Sequence, residues 1–163
     1  MYDTFLDRSD REVMRKNLIF RIIYLVIIIC LIGFIFSNSI LSVEESSEAS
    51  GRVLTWVNGL LEKINSPFLF SVVFVRKAAH FIEYFTLGAL LSGYVILFKV
   101  CLPKRFVYCS FMSCLISMTD ETIQYFSDRG SMLLDVWLDL FAASVGIFLI
   151  VLFNMRKIKI ERV

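Results

Sequence analysis

A single histidine, His80, serves the whole 163-residue chain. That alone excludes the paired-histidine sites of di-metal helix bundles. Four cysteines are present, Cys30, Cys101, Cys109 and Cys114, and none stands in a CxxC or CxxH pair. Neither a zinc motif nor a redox motif is therefore indicated, and free cysteines in apolar runs pack as small hydrophobes. The formal net charge is only +2, which gives no electrostatic case for nucleic acid. Internal repeats and low-complexity tracts are absent, and the sequence specifies neither a metal site nor a cofactor.

Apolar residues are abundant instead. They make up 58% of the chain, with a mean hydropathy of +0.74, against about 45–50% in soluble domains. A soluble core of this size cannot hide so much Leu, Ile, Val and Phe, so lipid must cover part of it. A spanning helix needs about 20 predominantly apolar residues. Segments 18–36, 78–98, 106–126 and 136–153 meet that need. The expected fold class is all-α, a polytopic four-helix membrane bundle. No A-x-A site follows the first segment, which favours an uncleaved anchor over a signal peptide. Arg21, near its start, can snorkel to the headgroups.

Basic residues orient the bundle. Five lie in the first 21 residues, three in the loop 99–105 and four after 153, so twelve of seventeen fall on one side of four spans. That side is expected to be the cytoplasm, with segments 1–17 and 154–163 and both termini there. The outer loop 37–75 holds four glutamates against Arg52 and Lys63. Within it, 51–64 places apolar residues at helical spacing, with Trp56 suited to the headgroup level. An amphipathic helix lying on the membrane is expected, ended by Asn65, Ser66 and Pro67. The apolar stretch 68–75 is either re-entrant or a rise into the second span.

Ionisable residues inside spans are costly, at least ~2.5 kcal/mol each near the bilayer centre. They persist where they face the bundle interior, find partners or act. The second span carries Arg76, Lys77, His80 and Glu83, with Tyr84 bordering their face. Asp120, Glu121 and Gln124 lie near the outer end of the third, above a stripe of Ser110, Ser113 and Ser117 that should face other helices. Asp135 and Asp139 open the fourth, and Arg129 stands in the turn before it. Small residues (Ala89 and Gly93; Ala142, Ala143 and Gly146) suit close helix approach. Helical rise places this polar set at one level in the outer leaflet. Glu83, Asp120, Glu121 and Asp139 need basic groups, protons or a cation to neutralise them there.

The same residues carry a family resemblance. RKAAHFIEYFTLGALL (76–91) resembles the signature R/K-K-x-x-H-F-x-E-Y-x-x-L-G of VanZ-like membrane proteins. DETIQYFSDRGSMLLDVWLDLFAASVG (120–146) resembles that family's second block, and SNSILSVEESSEASG (37–51) is similar to a degraded form of its Ser- and Gln-containing segment. Ser39 replaces the usual Gln, and Ser127-Asp128 replaces a Pro-Gly. The family is named for a protein that raises resistance to the glycopeptide teicoplanin. The resemblance implies a bacterial envelope context and a residue set, without a settled reaction.

Two classes of role follow. In the first, Arg76, Lys77 and Arg129 form a basic rim for the phosphate or carboxylate of an amphiphilic envelope molecule, a lipid or lipoglycopeptide. Tyr84, Gln124 and Asp135 join that ligand-binding set, while His80, Glu83, Asp120, Glu121 and Asp139 hold or move protons below it. This makes those five the catalytic candidates, with enzyme activity left open; an ion path has less support, since no carboxylate lies in the inner half. In the second, the cluster only holds the helices together. The sequence leaves the oligomeric state open.

Overall fold

The computed structural model describes residues 8–65, 67, 69–98, 100–128 and 132–160, with side chains at 12–155 among these. Those residues form five helices and no strand: α1 Arg8–Ile40, α2 Val43–Lys63, α3 Val72–Ile96, α4 Leu102–Phe126 and α5 Leu133–Ile160. Expected spans 18–36, 106–126 and 136–153 lie within α1, α4 and α5, and 78–98 runs two residues past the end of α3 at Ile96. α3 packs most extensively on α5, α4 packs next on α5, and α1 lies against both α3 and α4.

Local chemistry sets the helix ends. Ser42 caps α2 in a reciprocal capping box with Glu45, satisfying donors the first turn leaves orphaned. The amphipathic helix therefore begins at Val43, eight residues before the expected 51, and takes in the acidic run. Asn65 ends it with φ of 51°, a left-handed conformation that Asn tolerates better than most residues. Asn58 then clamps the following chain, bonding both the N–H and the carbonyl of Phe70 at 3.0 and 3.3 Å. Ser71 caps α3 by accepting from the Phe74 N–H. The residues after Ser71, from Val72 to Val75, form the first turn of α3.

Among the described residues, three helices are long and apolar enough to cross a membrane, within Glu12–Ile40, Val72–Ile96 and Leu133–Met155. α4 is not among them, because its composition is averaged over two unlike faces. Its buried face is Arg105, Cys109, Ser113, Ser117, Asp120, Glu121 and Gln124. Phe106, Phe111, Met112, Leu115 and Met118 are exposed. A soluble helix buries its apolar stripe, and α4 does the reverse.

The core is formed by Ile28 and Ile35 of α1, Tyr84 and Leu87 of α3, and Ala142 of α5. Between α3 and α5 the backbones themselves touch. A Cβ on Gly88 would collide with the backbone of Ala143, and one on Gly146 with the backbone of Phe85 and Ala89. Gly93 faces elsewhere, toward the Tyr24 ring of α1. Arg21 does more than snorkel: its guanidinium donates to the Leu97 carbonyl at 3.0 Å, satisfying the C-terminal end of α3, and lies 4.7 Å from the Phe98 ring centre.

Candidate functional site

The close approach of α3 and α5 brings their first turns together. Lys77 pairs with Asp135 across that contact. One turn further along, His80 Nδ1 lies 3.7 Å from Asp139 Oδ1 and 3.8 Å from Asp120 Oδ2 of α4. Both carboxylates are completely buried. Their ligand atoms and the imidazole nitrogen all lie within 4.8 Å of one another, a spacing that a metal ion could occupy. Tyr84, also completely buried, stacks one turn below with its ring 6.5 Å from that of His80.

A buried carboxylate needs hydrogen bonds to offset its lost hydration. Asp120 accepts from Ser39 and, at 3.2 Å, from the Gln124 amide. The same amide reaches Ser39 at 3.5 Å. Asp139 Oδ2 accepts from Ser117 at 2.8 Å. The remaining candidates have other partners as well. Glu83 accepts from Asn38 of α1 at 2.9 Å, and Glu121 accepts from the Met132 N–H at 3.0 Å. Arg76 lines a groove on the outer side of α3. Arg129 lies outside the described residues.

Among the described residues, the polar groups assigned to one level by helical rise therefore divide into an inner trio and a surrounding set of partners. Three contributors carried no signal as ionisable groups. Asn38 and Ser39 come from the end of α1, and Ser117 belongs to a stripe expected only to pack and hydrogen-bond. For Asn38 and Ser39 the one pointer in the sequence was the 37–51 segment and its likeness to a family block. Ser39 occupies the place of a Gln there, and it delivers a hydroxyl rather than an amide to Asp120.

The groove runs between α1, α2 and α3 and encloses about 520 Å³. Phe34, Val53, Val57, Phe74 and Ile82 give it apolar walls, and Asn38, Arg76, His80 and Glu83 supply polar groups along α1 and α3. His80 is shared, since it lines the groove and also faces Asp120 and Asp139. Its imidazole can pass a proton or share a ligand between the two compartments.

No curated protein and no solved structure matches the chain. A family model described as VanZ/LLP1 matches residues 21–154, which takes in α1 from Arg21, the groove, the trio and most of α5. With both signature strings and the buried trio inside that match, the chain belongs to the VanZ/LLP1 family.

Proposed function

We propose that the protein binds, and in some form acts on, an amphiphilic molecule of the bacterial cell envelope at the groove between α1, α2 and α3. The observation that carries this reading is the groove's composition. Apolar walls from three helices meet Arg76, His80 and Glu83 at one wall, and its volume falls in the ~300–1,000 Å³ range of ligand pockets. An acyl or other apolar part fits among Phe34, Val53 and Ile82, and an anionic head fits at Arg76.

The membrane placement is part of the proposal. α1, α3, α4 and α5 span the cytoplasmic membrane with both termini inside, and α2 lies at the outer interface. This four-span region covers 18–153, between cytoplasmic segments at 1–17 and 154–163. The inside-out faces of α4 support it as the fourth span, since lipid is the solvent that suits its exposed Phe and Met side chains. Teicoplanin carries a lipid tail and belongs to the amphiphile class the groove suits, so glycopeptide susceptibility is one phenotype to measure.

The test is a lipid-resolved mass spectrum of the purified full-length protein. Wild type should retain a discrete envelope amphiphile. Ala79→Trp, which fills the groove, and Arg76→Gln should lose most of it. An identical lipid complement in all three proteins would defeat the reading.

A second reading, that the cluster only holds the helices together, draws support from Asn38–Glu83, Lys77–Asp135 and Ser39–Asp120, which tie α1 to α3, α3 to α5 and α1 to α4. Charge-removing changes (His80→Gln, Glu83→Gln, Asp120→Asn, Asp139→Asn) separate the two. Under the first reading they abolish the envelope phenotype at normal protein levels. Under the second, phenotype falls only as fast as protein.

A further inference from the structure

We infer that His80, Asp120 and Asp139 bind one divalent transition-metal ion of the zinc or manganese class. The donor atoms sit at the wrong spacing for direct bonding and close to the right one for a shared ion. His80 Nδ1 stands 3.8 Å from Asp120 Oδ2 and 3.7 Å from Asp139 Oδ1, whereas charge-assisted hydrogen bonds close to about 2.7–2.9 Å. Metal–ligand bonds of about 2.0–2.2 Å put neighbouring donors roughly 3–3.5 Å apart. The two separations from His80 exceed that spacing by only a few tenths of an ångström, and all three donor atoms lie within 4.8 Å of one another.

Charge points the same way. Among the described residues, no Lys or Arg lies within 4.0 Å of Asp120 or Asp139, since Lys77 is taken by Asp135. One imidazolium can neutralise only one of the two carboxylates. A dication satisfies both while leaving His80 neutral, the form in which it ligates.

Two buried oxygens here, one of them a donor atom of the trio, bear on the same site. Asp139 Oδ1 is buried with no hydrogen-bond donor among the described residues, its partner oxygen being the one that takes Ser117. The Tyr84 hydroxyl is buried beside Ser117, Asp120 and Asp139 and closes a hydrogen bond of full geometry with none of them. It is placed to donate to a metal-bound water. Hydroxyls from Ser39 and Ser117 meanwhile hold the carboxylates, as outer-sphere partners hold ligands in metal sites.

The donor set selects the ion. Calcium and magnesium take all-oxygen surroundings, whereas imidazole suits zinc and its first-row neighbours and carboxylates suit manganese, so one imidazole with two carboxylates fits these ions. Three protein ligands leave at least one position open, the pattern of a working site and not of a sealed structural one. His80 lines the groove, so that position is available to an anionic headgroup. This last step rests on the groove reading; the metal site itself does not.

The test uses full-length protein without a histidine tag, purified in detergent, stripped with chelator and titrated with Zn²⁺ alone by calorimetry. One ion per chain is expected, with affinity reduced at least tenfold in His80→Gln and Asp139→Asn and unchanged in Glu62→Gln, an exposed carboxylate on α2. Because a variant may fail to fold, a second measurement uses wild type only. Pulsed electron paramagnetic resonance of the Mn²⁺-loaded protein should show coupling to one imidazole nitrogen, and His80 is the chain's sole histidine. Absence of stoichiometric uptake, or uptake without that coupling, overturns the site. No amphiphile is present in either measurement, so their failure is distinct from failure of the groove reading.

Discussion

Gly88 of α3 and Ala143 of α5 meet backbone to backbone, leaving no room for a side chain on the glycine. This contact and the Gly146 approach to Phe85 and Ala89 set the register of the two helices. The register in turn places Lys77 opposite Asp135 and His80 opposite Asp139. Packing and site are thus one geometric fact.

Gly88→Val should therefore destabilise the protein by about 1–3 kcal/mol or more through forced separation of α3 and α5. Gly33→Ala is the contrast. A Cβ there meets nothing within 4 Å, and alanine in a helix is favoured over glycine by roughly 0.5–1 kcal/mol. Thermal unfolding in detergent should show a lower Tm for the first and an equal or higher one for the second. Equal losses for both would show that the close approach does not matter.

Ser39 is almost wholly buried and bonds Asp120. Ser39→Ala leaves a buried carboxylate oxygen short of a donor, at a cost of about 1–3 kcal/mol. Lys77 and Asp135 are by comparison partly exposed, with side chains 43% and 20% accessible. Breaking that pair with Lys77→Met should cost no more than about 1 kcal/mol. Chemical denaturation of the two variants side by side gives the order, and a larger loss for Lys77→Met would refute it.

Asp128 has a φ of 55°, at the position where the VanZ-like pattern has glycine. A left-handed conformation costs an ordinary residue about 1–2 kcal/mol, less for Asp, and nothing comparable for Gly. Asp128→Gly should be neutral or raise the Tm, and Asp128→Val should lower it. A destabilised glycine variant would mean that the Asp side chain, and not the backbone conformation, holds this turn.

Topology is tested by labelling with membrane-impermeant thiol reagents on intact cells. Ser47 and Cys101 are both exposed, so accessibility to reagent reports sidedness rather than burial. A cysteine placed at Ser47 should react from outside, and native Cys101 should react only after lysis. Reaction of Cys101 in intact cells would reverse the orientation drawn from the basic residues.

The sequence by itself determined the elements and the membrane-like character, because apolar runs, caps and the inside-out pattern are local properties. It also specified which residues share a face, since 100° per residue is intrinsic to the helix. The family was legible in two short strings for the same reason. Helix starts were less so: the acidic run 43–50 joins α2 through a capping box whose effect the hydrophobic pattern does not register.

Only the tertiary structure decided which partners meet. Glu83 looked like a companion of His80 one turn away, yet it turns to Asn38. Asp120 and Asp139, on two other helices, are the groups that face the imidazole. No spacing rule could flag this trio, because its members belong to α3, α4 and α5. Their meeting depends on helix rotation and register, and those follow from where glycine lets two backbones touch.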